Sequence, residues 1–225
     1  MEPGCAQAVN YLDPAGPRYL LCAGAGAAGP GAPQSPGVPF RVVSFNIAYG
    51  IHVDRALETL RASEPLRDPD VLALQEMDAP GVERMARELG LNAVYFPSGV
   101  HPKHRRDFGC ALLSPWPLED PRKLVLPHAA RGTGLRRAAV SAVAVRDGLR
   151  LRVYSVHLPS PLAVSGASRR EQVRAILADA DGAGLPVVVA GDFNSYGVGE
   201  LFARAGYAWP TRDIGPTARW ALGGL

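Results

Sequence analysis

The run Pro186-Val187-Val188-Val189-Ala190-Gly191-Asp192-Phe193-Asn194 constrains this chain most. Four apolar residues in a row read as a strand buried on both faces, and such strands belong inside an α/β sheet. Gly191 ends the run, and a carboxylate and a carboxamide follow two positions apart. With an extended backbone, Asp192 and Asn194 point the same way at the lip of a sheet. The plainer alternative is a strand followed by an Asx turn.

Other strands end in the same manner. Val42-Val43-Ser44-Phe45 runs into Asn46, Val71-Leu72-Ala73-Leu74 into Gln75-Glu76, and Val153-Tyr154-Ser155-Val156 into His157. Strands are expected at Arg41–Phe45, Asp70–Leu74, Gly109–Leu113, Ala138–Val145 and Leu151–Leu158. Asp54 can cap a helix that carries Ala56, Leu57 and Leu60 on one face. Pro80–Leu89 reads as a helix closed by Gly90. Ser168-Arg169-Arg170-Glu171 reads as a capping box that opens a helix through about Ala180. A short helix follows at Gly199–Ala205. The pattern describes one α/β domain over residues 40–225. Residues 1–39 stand apart, because Ala23–Pro39 is almost entirely Gly, Ala and Pro and has the composition of a linker. Gly24–Gly29 matches a dinucleotide fingerprint in form, but Pro30, Pro33 and Pro36 stand where its helix would begin.

Bulk properties exclude several classes. Cys5, Cys22 and Cys110 are far apart, so neither a disulfide framework nor a zinc site is expected. No apolar run is long enough for a membrane span. Net charge is +3 with a pI near 8.9, which is no nucleic-acid signature by itself. As written the chain has no secretory leader, so a cytoplasmic location is expected. An exported or lipid-anchored form is expected if the true start lies upstream of Cys5.

If the strand ends lie side by side, Asn46, Glu76, His157, Asp192 and Asn194 converge on one rim. That set suits metal-assisted hydrolysis of a phosphoester. Glu76 and an amide oxygen are hard donors of the kind that hold Mg²⁺, with Mn²⁺ as a possible substitute. Asp192 can orient or deprotonate a water, His157 can donate to a non-bridging oxygen, and Asn194 can hold phosphate or water. Each residue also has a structural reading: Asn46 as a loop residue, Glu76 as a solvated or capping carboxylate, His157 as a core histidine.

The four segments Ser44-Phe45-Asn46, Leu74-Gln75-Glu76, Ser155-Val156-His157-Leu158 and Gly191-Asp192-Phe193-Asn194 resemble, in order and spacing, the endonuclease/exonuclease/phosphatase superfamily. It includes DNase I-like nucleases, abasic-site endonucleases, neutral sphingomyelinases and inositol polyphosphate 5-phosphatases. The resemblance spans about Phe40 to Leu225. It implies a four-layer αββα sandwich of two mixed sheets and a Mg²⁺-dependent phosphodiesterase or phosphatase. In it Asn46 and Glu76 are the metal-side residues and His157 contacts phosphate. Asp192 activates water, and Asn194 positions phosphate and water. Asp107–Ser114 resembles the superfamily's Gly-Asn-Ala-x-Leu-Ser strand, with Cys110 in place of Asn and Pro115 in place of a common Arg.

The resemblance also calls for an Asp-His pair on a last core strand. No such pair follows Asp213; the sequence holds Gly215-Pro216-Thr217 and ends at Leu225. A C-terminally truncated member lacking its last strand is therefore expected, with turnover reduced about 10²–10⁴-fold for a lost acid–base group. The alternative is a degenerate, non-catalytic member that acts as a binding protein. The substrate is left open between nucleic acid and a lipid or small-molecule phosphoester. The basic stretch His101–Arg106 and Arg136-Arg137 are candidate phosphate contacts, or in the first case a solvated loop. Oligomeric state is not legible.

Overall fold

The computed structural model describes residues 8–22, 38–195 and 197–215. Cys5, the Gly24–Gly29 run and Pro216-Thr217 lie outside the described residues. In chain order the elements begin with β1 (Val9–Asn10), β2 (Tyr19–Leu21), β3 (Val42–Asn46), α1 (Val53–Ala62), β4 (Val71–Met77) and α2 (Ala79–Leu89). β5 (Asn92–His101), β6 (Arg106–Ser114), β7 (Leu118–Ala129), β8 (Arg136–Arg146) and β9 (Leu149–His157) follow. The chain continues through α3 (Gly166–Asp181), β10 (Val187–Asp192) and α4 (Gly199–Arg204). No helix among the described residues is long and apolar enough to cross a membrane.

Two mixed sheets form. The first runs β1-β5-β6-β4-β3, with β2 also on β5; the second runs β10-β9-β8-β7. β3 pairs parallel with β4, and β10 with β9; the remaining pairs are antiparallel. Strand alternation sorts the core into three layers of contact. Leu72 and Leu74 of β4 face Leu57, Leu60, Val82 and Met85 of α1 and α2. Val71 and Ala73 face the other way, onto Val140, Ala142 and Val153 of the second sheet. Tyr154 and Val156 of β9 then meet Val173 and Ile176 of α3 and Phe202 of α4. Helix, sheet, sheet, helix is the αββα sandwich that the motifs imply.

Several local expectations are corrected. The N-cap position of α1 is His52, without a side-chain cap bond, and Asp54 sits in the first turn and pairs with Arg84. α3 opens at Gly166 rather than at Ser168: Ser165 is its cap and accepts from Ser168 N at 3.0 Å, while Glu171 pairs with His128. α2 is capped by Asp78, which accepts from Gly81 N at 2.9 Å, and it ends at Gly90 with φ 66°. β5 and β7 carry Pro97, Pro121 and Pro127 inside their spans. Proline hides a strand in a sequence pattern, and here two of the register shifts begin or end beside these residues.

Residues 8–22, grouped with the extension by composition, give two strands to the first sheet. β1 and β2 pair with β5 and cover its edge. The same stretch reaches the second sheet. Lys123 of β7 donates to the carbonyls of Asp13 and Gly16, both at 3.1 Å, and Asn10 exchanges bonds with Gly134 O and Arg136 N.

Candidate active site

The strand ends meet where the two sheets face each other. A polar latch sets their relative position. Gln75 is buried in β4 and donates to Ser155 Oγ of β9 at 3.0 Å; Ser155 Oγ donates to Leu74 O at 2.9 Å. The residues after this latch, Glu76 on one sheet and His157 on the other, come within 3.6 Å (Glu76 Oε1 to His157 Nε2). Glu76 points there because β4 bulges between Leu74 and Met77, with Glu76 at φ 59°. A left-handed non-glycine residue at a bulge is a way to re-aim one side chain.

On the second sheet, β10 approaches β9 unusually closely. Gly191 has φ 152°, and a Cβ there would lie 2.0 Å from Val156 O. Asp192 follows and pairs in register with His157. The chain then leaves the extended form, with Asn194 at φ 48°. Asp192 and Asn194 therefore do not project side by side. Asn194 N donates to Asp192 Oδ1 at 3.0 Å, an Asx turn, and the Asn194 amide folds back to Leu158 O at 2.9 Å and His157 Nε2 at 3.3 Å. The turn and the polar rim are one feature.

Asn46, at the end of β3, joins the two carboxylates. Its Nδ2 lies 3.0 Å from Asp192 Oδ2 and 3.3 Å from Glu76 Oε1, and its Oδ1 accepts from Ala48 N. Glu76 Oε2 accepts from Tyr49 N at 3.0 Å. All five expected residues thus share one corner.

Burial dominates the electrostatics. It raises the Glu76 carboxyl, against the hydrogen bond from Asn46 and the charge of Arg137. It lowers His157 well below the ordinary histidine value, and Arg137 pushes the same way. The ring is therefore neutral at neutral pH. Its Nε2 faces the corner, 3.3 Å from Asn194 Nδ2 and 3.6 Å from Glu76 Oε1. Nδ1 is buried without a partner. Burial also lowers Arg137, offset in part by Glu76 and Asp192. Arg137 Nε and Nη1 are enclosed and unpartnered, and the guanidinium lies 4.4 Å above the Phe108 ring.

A hard cation suits this corner. Two carboxylates share the NH2 group of one amide, and Glu76 is desolvated without an ion-pair partner closer than the neutral His157. Glu76, joined by Asn46 Oδ1 once that amide turns over, would give the sparse oxygen set typical of Mg²⁺ sites, which keep waters and substrate phosphate as ligands. No group of three or more His, Cys, Asp or Glu able to cage a metal exists among the described residues. Cys110 is 2 % exposed between the sheets, and burial pushes its thiol up to about 12.

Sequence reading missed Tyr49, Phe108 and the latch role of Gln75 and Ser155. Tyr49 had one signal, its place three residues after Asn46. Clefts of about 520 Å³ between α1 and α2, and of about 370 Å³ beside Lys123, lie away from this corner.

Residues 43–224 match the model of the Endonuclease/Exonuclease/phosphatase family. An endonuclease/exonuclease/phosphatase structure from Beutenbergia cavernae DSM 12333 is 27 % identical, with TM-score 0.53, covering 69 % of this chain and 47 % of its own. The human Nocturnin catalytic domain is 22 % identical, with TM-score 0.55, over 80 % of this chain and 68 % of its own. Sphingomyelinase C from Streptomyces griseocarneus is 21 % identical, with TM-score 0.52, over 69 % and 64 %. The chain thus spans about half the first structure and about two thirds of the others. The two latter likenesses show the fold. No curated protein matches the chain.

Proposed function

The chain belongs to the endonuclease/exonuclease/phosphatase family, and on that premise we propose that it hydrolyses a phosphoester or phosphodiester bond by attack of a water, with Mg²⁺ or Mn²⁺ as cofactor. The observation that carries this reading is the meeting of Glu76 and Asp192, from two different sheets, on the single amide of Asn46.

Glu76 and Asn46 would hold the metal. When bound, it polarises the phosphoryl oxygen and stabilises charge on the leaving oxygen. Asp192 is fixed at both oxygens, by Asn194 N and Asn46 Nδ2, so its carboxylate is oriented to take a proton from the attacking water. His157 turns Nε2 toward Glu76 and Asn194, and with its proton on that nitrogen it donates to a non-bridging oxygen. Asn194 acts through His157, since its amide, held at Leu158 O, lies against Nε2 and sets the tilt of that ring.

Hydrolysis of bis-p-nitrophenyl phosphate, sphingomyelin, plasmid DNA and an abasic duplex, each with Mg²⁺ and with chelator, tests this reading. Asp192→Asn should lower any metal-dependent turnover about 10²–10⁴-fold. Mg²⁺ and phosphate binding are measured beside turnover. Metal-dependent phosphate binding without hydrolysis would favour the second reading, a binding protein on the same fold. Loss of neither binding nor turnover in Glu76→Gln would sink both readings.

A further inference from the structure

Five of the six residues from His101 to Arg106 are basic or carry imidazole. The turn between β5 and β6 lays two of them against the site. Tyr49 stacks on His104 with ring centroids 4.0 Å apart and meets His101 at 5.0 Å. Phe108 lies 5.3 Å from His101 and 5.7 Å from His157, and carries Arg137 on its face. One wall of rings therefore runs from His157 out to His104.

The wall is short of acceptors. His101 Nδ1, His104 Nε2, and Arg137 Nε and Nη1 are all enclosed without a hydrogen-bond partner. Arg106 is neutralised by Asp78, whereas Lys103 projects from the turn. Burial holds His101 down to about 4, and His104, Arg137 and Lys103, all of one sign, add to it. Enclosed polar nitrogens without partners are destabilising, the Arg137 pair being donors in any state, and a cluster of them in one place marks a missing polar group. Crowded positive charge says which kind: an anion with several acceptor oxygens.

We propose that this wall is a second anion subsite, which takes a phosphate group next to the one that meets His157. Its place beside a scissile group rests on the hydrolytic reading above. Arg137 joins the two positions, since it lies on the face of Phe108, whose ring meets both His101 and His157. The anion reaches the enclosed nitrogens as the His104 ring swings off Tyr49 at the exposed turn. The substrate is thus a phosphoester with neighbouring phosphates, either a compact molecule or successive phosphates of a nucleic-acid strand.

Calorimetry on the 225-residue chain in chelator at neutral pH tests this with inorganic orthophosphate, inorganic pyrophosphate and a ten-nucleotide single-stranded DNA. Pyrophosphate should bind at least about tenfold more tightly than orthophosphate. His101→Ala/His104→Ala should shrink that ratio to about twofold or less. The exposed Lys103→Glu, which leaves the ring stack in place, should weaken pyrophosphate binding by about threefold or more. Oligonucleotide binding that falls steeply with salt and is lost in the double variant assigns the strand. Pyrophosphate preference without it assigns the compact source. Absence of both in the wild type, or a preference unchanged in both variants, overturns the subsite. Metal-dependent hydrolysis of bis-p-nitrophenyl phosphate, measured on the same protein, reports on the hydrolytic reading alone. If it fails while the preference holds, the anion site stands and the hydrolysis does not.

Discussion

Gly191→Ala should damage both the fold and the corner. The new Cβ would stand 2.0 Å from Val156 O and 2.8 Å from Val156 C and N, where anything under 3.0 Å forces a shift. β10 must therefore move about 1 Å away from β9 at this register pair, or the backbone must abandon φ 152°. Overpacking and backbone strain together cost about 2–5 kcal/mol. Alanine recovers about 0.4–1 kcal/mol by restricting the unfolded chain, so a net loss of about 1–4.5 kcal/mol is expected. Asp192 is the next residue, and a displacement of about 1 Å there is enough to reduce a positioned reaction about 100-fold. Urea unfolding at unchanged m-value reads the stability, and phosphate binding with Mg²⁺ reads the corner. Gly184→Ala is the control: its φ is 61°, but nothing lies within 4 Å. It should lose only about 1–2 kcal/mol from the left-handed backbone. If Gly191→Ala costs no more than Gly184→Ala, the close approach of β10 to β9 is not what fixes this corner.

Asp70→Ala should cost about 3–5 kcal/mol in the same unfolding assay, since it strands a buried charge. Asp70 accepts from Arg146 Nη1 at 2.9 Å, Trp116 Nε1 at 2.8 Å and Arg41 N at 2.7 Å, with both ends of the ion pair 9 % exposed; a loss below about 1 kcal/mol would show that Arg146 finds water instead. His101 gives a pH dependence. Its folded value, about 4, lies below the unfolded 6.5, so the unfolded chain binds the proton first. Its contribution is complete above the unfolded value and lost as pH falls toward the folded one. Wild-type stability relative to His101→Gln should therefore decline between about pH 6.5 and 4, and parallel curves would contradict the burial of His101 among His104, Arg137 and Lys103.

The most legible strands were β3, β4, β9 and β10. They form the two parallel pairs, and each appears as a mainly apolar run with a visible end; β4 and β9 are buried as such runs suggest, whereas β10, expected to be buried on both faces, is with β3 an edge strand and only half-buried. Those ends carried the site, which is why its five residues could be named from sequence. The antiparallel strands β5 and β7 were hidden by their prolines, which sit at irregular registers rather than in a regular ladder. Residues 8–22 were misjudged because two- and three-residue edge strands leave almost no periodic signal. Arg136-Arg137 showed two cations side by side, but not that alternation turns Arg136 outward and encloses Arg137.

What sequence spacing could not supply was the dependence of the site on the packing of one sheet against the other. Glu76 and Asn46 come from the first sheet, His157 and Asp192 from the second, and no strand carries a working pair by itself. Among the contacts that span the gap are Gln75 to Ser155, buried just below the rim, and Asn46 to Asp192 at the rim itself. The buried contact ties a carboxamide that also donates to Ala73 O to a hydroxyl that also donates to Leu74 O across the sheets, so it fixes their relative slide. The rim contact is different in kind. It is made by an amide that two carboxylates share, so it holds their like charges together only while Asn46 donates to both. A bound cation would relieve that repulsion and free the amide to turn its oxygen inward. The rim contact is thus the one that metal binding should change, and the Gln75–Ser155 latch is what keeps the two sheets in register while it does.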